Sequence, residues 1–324
     1  MTATRLDLSA ASYRPHPMHQ QDRTWAETNC YIDLWVELLH SLGLDPVPAA
    51  ACAFSADFDG DQWSFLKFPA EDLRALYGID VDELNVWRPV VEHVRAALDQ
   101  GRLLTVEVDA WWLPDTAGTS HHAEHTKTTI VPAVLDEGSK RLGYFHNAGF
   151  FELTDEDYDG IFRLGSHADP DALAPYVELI RLDRIAPSAS DDLATRARAV
   201  AAAHVRRRPS DNPVRRLADS VTRDVSWLAG QDLATFHLWS FGLLRQCGAT
   251  ADLAADFVDW DAERGAPLAA ASPQFRAVAT GAKSLQFQLA RVVRGRPVDV
   301  RPALDQMTDA WHRGMEIVAG HYGA

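Results

Sequence analysis

The sequence predicts an α+β protein in which one helix and a small antiparallel sheet are followed by an all-helical region. Apolar residues recur at spacings of three and four between Tyr31 and Leu42, which predicts a helix that is capped by Thr28 or Asn29 and ends at Gly43. Four alternating, β-branched stretches predict strands. These are LLTVEVDAWW, TTIVPAVLD, RLGYFHNAG and YVELIRL, in residues 103–112, 128–136, 141–149 and 176–182.

A change from strand spacing to helical spacing near Ile185 predicts two domains. Beyond that residue no stretch has strand spacing, and alanine-rich segments such as DDLATRARAVAAAHV and SLQFQLARVV carry helical spacing. We therefore expect an α+β domain in residues 1–184 and a helical domain in residues 185–324.

Composition and charge argue against several classes of protein. The formal net charge is −15, which disfavours binding to nucleic acid. No apolar run approaches the ~20 residues of a membrane span, and the N-terminus lacks the apolar segment of a secretory leader. Three cysteines cannot form a disulfide framework in so long a chain, so we expect a cytoplasmic protein that does not bind membranes.

Cys30 is the candidate nucleophile because it lies in the first turn of the predicted helix. A helix N-terminus carries roughly half a positive charge, which lowers the pKa of a thiol and stabilises the thiolate. The alternative is that Cys30 is a small buried apolar residue, which is the usual role of a cytosolic cysteine.

His125 and Asn147 are candidates for the catalytic base and for the residue that orients it. His125 precedes one predicted strand and Asn147 ends the next, so an antiparallel hairpin would bring them close together. The order Cys, His, Asn is the order of papain-like enzymes, in which the Asn holds the imidazole. Alternatively, His125 is an exposed loop residue and Asn147 is a turn residue that tolerates a left-handed φ.

The segment around His125 also permits a metal site. His121, His122, Glu124 and His125, with Asp109, offer imidazole and carboxylate groups that suit zinc or iron. The spacing HHAEH differs from the helical HExxH pattern, and clusters of loop histidines are often only exposed polar residues. We therefore expect neither a resident metal nor a bound cofactor.

Cysteine catalysis needs hydrogen-bond donors for the developing oxyanion, and substrate binding needs further polar groups. Besides the backbone N–H of Cys30, the side chains of Gln21 and Asn29 are candidate donors. Asp109, at the end of the first predicted strand, is a further candidate for substrate binding.

Motifs along most of the chain, roughly residues 10–320, resemble a bacterial family catalogued only as a domain of unknown function. They include TNCYIDLWVELLHSLGL, DFDGDQWSFLKFPAEDL, VEVDAWWLPDT, HTKTTIVP and GYFHNAGF. That family remotely resembles the acyltransferase of butirosin biosynthesis, a papain-like protein with a helical C-terminal domain. The resemblance implies a papain-like fold for residues 1–184, with Cys30 as nucleophile and His125 as base. The third catalytic residue, which orients the base, is Asp in the butirosin relatives and Asn147 here.

The resemblance implies transfer of an aminoacyl group from an acyl carrier protein thioester to an amine, a reaction of secondary metabolism. Carrier proteins are acidic, and this acidic chain has seven arginines against one acid between Arg196 and Arg216. Arg206, Arg207 and Arg208 are therefore candidates for binding such a partner, although a charge run is usually a solvated helix face.

The function that the sequence supports is an acyltransferase that uses a Cys30 thioester. Its donor would be a carrier protein or small thioester, with phosphopantetheine carried by the donor, and its acceptor a small amine. A cysteine amidase or hydrolase with the same residues is the first alternative. A metal-dependent enzyme built on the His121–His125 segment and a binding module without catalysis are the others.

Overall fold

The computed structural model describes residues 3–4, 6, 8–20, 22–169, 171–185 and 190–323. The chain divides into two compact units, each of which is made of three segments. The sheet unit comprises Met1–Gln20, Cys30–Asp45 and Pro69–Pro187, and the helical unit comprises Gln21–Asn29, Pro46–Phe68 and Ser188–Ala324. The segments at 21–29 and 46–68, which lie within the predicted N-terminal domain, therefore cluster with the C-terminal helices.

In the part of the sheet unit that the structure describes there are four α-helices and an antiparallel sheet. In chain order its elements are β1 (Ala3–Thr4), α1 (Cys30–Ser41), α2 (Ala70–Tyr77), β2 (Asp80–Glu83), α3 (Val90–Asp99), β3 (Leu103–Asp109), β4 (Lys127–Asp136), β5 (Arg141–His146), β6 (Gly149–Thr154), α4 (Asp155–Ile161) and β7 (Val177–Arg181). The strands follow the order β2-β7-β3-β4-β5-β6, and β1 pairs with β4. The predicted α+β class is confirmed.

Two features of the sheet differ from the sequence prediction. The third predicted strand is split, because β5 ends at His146 and the chain reverses at Asn147, whose φ is +44°. The residues that follow form β6, in which Gly149 pairs with His146. The sequence did not predict β2. Three of its four residues are acidic, a type that is depleted in strands, but the strand pairs here with β7.

Helix α1 is the central element of the sheet unit and contacts β4, β5 and β6. It begins at Cys30, and the chain turns away at Gly43 with a φ of +71°, as the sequence predicts. Every residue from Tyr31 to Leu39 is buried, including the acidic residues Asp33 and Glu37. Such buried carboxylates need hydrogen-bonding partners of opposite charge.

The N-terminal segment supplies those partners. The phenol of Tyr13 and the backbone N–H of His16 donate to the carboxylate of Glu37, the latter over 3.0 Å. The ring of His19 donates to Glu37 through Nδ1 and lies 3.4 Å from Asp33 through Nε2. Burial by itself lowers the pKa of His19, but the bonds and charges of Asp33 and Glu37 raise it to about 9. The buried imidazolium therefore ties the segment before residue 20 to α1.

Among the described residues, the helices of the helical unit are α5 (Ser190–Arg207), α6 (Pro213–Leu228), α7 (Leu233–Ser240), α8 (Gln246–Ala262), α9 (Ser272–Val293), α10 (Arg301–Tyr322), a π-helix at Phe241–Arg245 and a 3-10 helix at Val47–Ser55. Its core includes aromatic side chains from residues 46–68: Phe54 packs edge-on against Phe257 and Trp63 against Trp311. In the part of the chain that the structure describes, no helix is both long and apolar enough to cross a membrane.

Residues 22–29 are held in the helical unit by specific polar contacts. Arg23 pairs with Asp256 over 2.6 Å, and the indole N–H of Trp25 donates to the carbonyl of Ala279 over 3.0 Å. Gly248 makes room for the indole, because a Cβ there would lie 2.6 Å from its nitrogen. The segment before Cys30 is therefore fixed by α8 and α9.

The His19 cluster predicts a pH dependence of stability. The folded pKa of about 9 exceeds the ordinary value of 6.5, so the stabilisation is fully present below pH 6.5 and is lost as the pH rises through 9. We expect His19→Gln to lower the free energy of unfolding by about 3 kcal/mol at pH 6 and by much less at pH 9.5. Urea unfolding followed by tryptophan fluorescence measures both values.

His312→Gln is the matched control, since that side chain is exposed on α10 and its substitution should change stability little at either pH. Parallel pH profiles for the wild type and His19→Gln would contradict the assignment of a buried imidazolium.

Candidate functional site

The connection between β3 and β4, residues 110–126, carries most of the candidate residues of the sheet unit. It begins with a 3-10 turn at Ala110–Trp112, capped by Asp109, whose Oδ1 accepts the N–H of Trp111 over 3.0 Å. The same oxygen accepts the N–H of Thr126, at the other end of the connection, over 3.3 Å. One carboxylate at the end of β3 therefore closes the base of the connection.

Asp109 also binds the ring of His125. The Nδ1–H of His125 donates to Oδ2 of Asp109 over 2.6 Å, and the ring stacks on Trp111 with centroids 4.5 Å apart. Among the described residues none bonds to Nε2, and the side chain is 70% exposed. A histidine held through Nδ1 by a carboxylate, with Nε2 open to solvent, is the arrangement of a general base.

A second histidine–carboxylate pair lies beneath the connection and is buried. The Nδ1–H of His146 donates to Oδ2 of Asp115 over 2.6 Å, and the hydroxyl of Tyr144 donates to Oδ1 over 2.6 Å. Nε2 of His146 then accepts from the hydroxyl of Thr128 over 2.7 Å. Burial, and then the charge of Asp115, raise the pKa of Tyr144, which therefore stays protonated as a donor.

Sequence reasoning missed this network. Asp115, Thr128 and Tyr144 had no role in the sequence analysis. The available signal was the alternation of β5, which directs Tyr144 and His146 to the same face of the sheet. Two polar side chains on one buried face each require a hydrogen-bond partner, and Asp115 from another part of the chain accepts from both.

Cys30 is the first residue of α1 and is partly buried, whereas Cys52 and Cys247 are buried. The neighbouring Tyr31 donates its hydroxyl to Oε2 of Glu178 on β7, which also accepts from Thr105 on β3. The side chains of Thr105 and Glu178 therefore face the N-terminus of α1. Residues 105, 107 and 109 share one face of β3, so Asp109 lies on the same face of the sheet as this helix start.

The structure brings some of the predicted site residues together and not others. No hydrogen bond among the described residues joins Cys30 to His125 or His125 to Asn147. Asn147 forms the turn between β5 and β6, and Asp109, predicted to bind substrate, holds the imidazole instead.

Of the two side chains proposed as donors to the oxyanion, Asn29 and Gln21, the structure describes only Asn29. The amide of Asn29 is buried and donates to the carbonyl of Leu66 and the side chain of Gln246, over 3.0 and 3.3 Å. Gln21 lies outside the described residues. The oxyanion roles of both residues stay predictions.

The predicted metal cluster separates into two groups. His125 binds Asp109, whereas His121 and His122 both bind Asp157 of α4 through their Nε2 atoms, over 3.1 and 2.9 Å. The last three residues could hold a metal ion. Asp157 had no role in the sequence analysis because 35 residues separate it from His122.

The arginine-rich stretch of the helical unit also separates into two groups. Arg198, Arg215 and Arg216 form ion pairs with Asp261, Asp305 and Asp57, respectively. Arg206, Arg207 and Arg208 are exposed at the end of α5 and just beyond it. Arg208 lines a pocket of about 220 Å³ together with Trp311 and Met315, so the basic segment borders a concave surface at Arg208.

Comparison with known proteins identifies a family. Residues 14–182 match the model of the DUF1839 N-terminal domain, and residues 190–320 match the model of the DUF1839 C-terminal domain. The two matched ranges are separated by residues 183–189. No curated protein matches the chain.

The burial of the three thiols predicts selective alkylation. Cys30 is partly exposed at a helix start, whereas Cys52 and Cys247 are 2% and 0% exposed and burial raises the pKa of Cys247. We expect iodoacetamide at pH 7 to modify Cys30 at least about ten times faster than the other two. Peptide mass spectrometry of the labelled native protein measures the rates, and labelling in urea, where all three should react alike, is the control. Equal rates in the native protein would contradict a special reactivity of Cys30.

Proposed function

The chain belongs to the DUF1839 family, and we propose that it is a cysteine-dependent acyltransferase that moves an acyl or aminoacyl group from a thioester to an amine. The observation that carries the proposal is the Asp109–His125 pair. Nε2 of His125 is open to solvent, and Asp109 lies on the same face of the sheet as the N-terminus of α1. The remote resemblance to the butirosin acyltransferase agrees with this chemistry, and the predicted cytoplasmic location agrees with a reduced Cys30.

The first half-reaction uses Cys30. Its thiolate attacks the carbonyl carbon of the donor thioester, the bond from that carbon to the donor sulfur breaks, and the donor sulfur leaves as a thiolate that takes a proton from water. Cys30 is the first residue of α1, and a helix N-terminus carries a partial positive charge. The product is an acyl thioester on Cys30.

The second half-reaction uses His125. The acceptor amine attacks the Cys30 thioester and loses a proton to Nε2 of His125, and the Cys30 thiolate leaves. Asp109 holds the ring with Nδ1 protonated, so Nε2 is the basic atom, and its charge stabilises the imidazolium that forms. Since no hydrogen bond among the described residues joins His125 to Cys30, we assign this base to the acceptor rather than to the thiol.

The exposed arginines support a carrier protein as the donor. Arg206, Arg207 and Arg208 form a basic surface on a chain of net charge −15, and acyl carrier proteins present an acidic helix. The side chain of Arg208 is fixed by a hydrogen bond of 2.6 Å to the carbonyl of Val205. A docked carrier would deliver its thioester on a phosphopantetheine arm, and no cofactor of the chain itself is required.

The assignment of His125 to the second half-reaction predicts a separation of the two steps. With a panel of acyl and aminoacyl N-acetylcysteamine thioesters, His125→Ala should still accumulate acyl-Cys30, but transfer to hydroxylamine should fall about 100-fold or more. Asp109→Asn should show the same pattern, and Cys30→Ser should lose both steps. Intact-protein mass spectrometry measures acylation, and hydroxamate formation measures transfer.

His312→Ala, an exposed histidine of α10, is the control and should keep both steps. Loss of acylation in His125→Ala would assign the base to the thiol, and acylation of Cys30→Ser would overturn the nucleophile. Rapid release of free acid in the absence of amine would identify a hydrolase.

The arginine surface predicts a donor-specific effect of charge reversal. Changing Arg206, Arg207 and Arg208 to Glu should raise the KM for an acylated carrier protein about tenfold or more, because like charges then face each other. Turnover of the small thioester should change little, and added salt should weaken only the carrier reaction of the wild type.

The matched control changes Arg291, Arg294 and Arg296, three exposed arginines in and after the last turn of α9, to Glu. It alters the net charge equally and should leave the carrier KM unchanged. An equal effect of both triple variants would mean that net charge, rather than a docking surface, sets the KM.

A further inference from the structure

We infer that His121, His122 and Asp157 form a binding site for a divalent transition-metal ion of the zinc class. The inference does not depend on the proposed acyl transfer, because none of the three residues takes part in that reaction. It departs from the sequence analysis, which predicted no resident metal.

The positions of the three ligand atoms match the needs of such an ion. Nε2 of His121 lies 3.1 Å from one carboxylate oxygen of Asp157, and Nε2 of His122 lies 2.9 Å from the other. One ligand atom from each residue can be chosen so that all lie within 4.8 Å of one another. Ligand atoms at about 2.0–2.1 Å from a tetrahedral Zn²⁺ are about 3.3 Å apart, so small movements would admit the ion.

The backbone of the connection is shaped to bring two successive imidazoles to one carboxylate. His122 has a φ of +52°, a left-handed conformation that is uncommon for residues other than glycine, although Asn, Asp and His adopt it more often than the rest. Its N–H donates to the carbonyl of Trp111 over 3.0 Å, which holds that conformation. As a result the rings of His121 and His122 stack with centroids 4.1 Å apart. Backbone strain of this kind is common at ligand-binding positions.

The chemistry and exposure of the group favour a catalytic rather than a structural ion. Two imidazoles and one carboxylate suit zinc, iron, cobalt and manganese, and three protein ligands leave a coordination position open. The side chain of His122 is 46% exposed, so a water molecule or a substrate oxygen could reach that position. The ring of Trp111 lies 5.9 Å from that of His122 and 4.5 Å from that of His125. The indole of Trp111 would therefore lie beside both the metal ligand His122 and the Asp109–His125 pair.

The test is metal binding by the full-length chain after treatment with EDTA. We expect one Co²⁺ ion per chain with the visible absorption of a low-symmetry cobalt site, displaced by Zn²⁺. His122→Ala and Asp157→Asn should each weaken Zn²⁺ binding about 100-fold or more in calorimetric titrations. His125→Ala and His167→Ala, two histidines outside the ligand set, should bind Zn²⁺ as the wild type does.

Circular dichroism of every variant without metal would identify any that fail to fold, and Asp157→Asn keeps the shape of the carboxylate while removing its charge. Binding that is absent in the wild type would overturn the site and leave a hydrogen-bonded cluster. Binding that survives in both ligand variants, or that is lost in His125→Ala, would overturn it as well, because the ion would then lie elsewhere.

Discussion

The arrangement of the candidate site depends on the hydrogen bonds that the carboxylate of Asp115 accepts. This carboxylate is 4% exposed and accepts hydrogen bonds from Tyr144 and His146, both of which belong to β5. Because Asp115 itself lies in the connection between β3 and β4, these bonds fasten the middle of that connection to the sheet. A buried carboxylate that lost both donors would be strongly unfavourable, so the connection has little freedom to move away.

The histidines of the site lie on the part of the connection that follows this fixed point. The 3-10 turn at Pro114–Thr116 is directly succeeded by the segment that carries His121, His122 and His125. Asp109 binds His125, Asp157 binds His121 and His122, and Asp115 binds His146 of β5. Three carboxylates thus position four histidines. The site is therefore organised by histidine–carboxylate pairs rather than by a single triad, and the exposure of each pair decides whether it can act on a substrate.

The sequence predicted the parts of this arrangement that depend on local pattern. The start of α1 at Cys30 and the strands β3, β4, β5 and β7 follow from apolar spacing, which is set by which face of an element is buried. Asp109 and His125 were both recognised as candidates, but their mutual bond was not, because it depends on how the connection folds back. Asp115 and Asp157 were missed for the same reason. The partners of Asp115 are 29 and 31 residues away and those of Asp157 are 35 and 36 residues away, and no periodicity encodes such contacts. β6 was missed because Asn147 reverses a strand whose apolar pattern continues.

The division of the chain into interleaved segments has a consequence for synthesis on the ribosome. The chain passes between the two units five times, and in the sequence the segment that contains α1 is preceded and followed by segments of the helical unit. Phe54 and Trp63 find their aromatic neighbours on helices that begin after residue 245, so these side chains stay uncovered until most of the protein has emerged. The N-terminal region therefore cannot finish folding while the rest of the chain is still being synthesised. Its aromatic side chains remain exposed, and able to associate with other apolar surfaces, until α8 and α10 have been made.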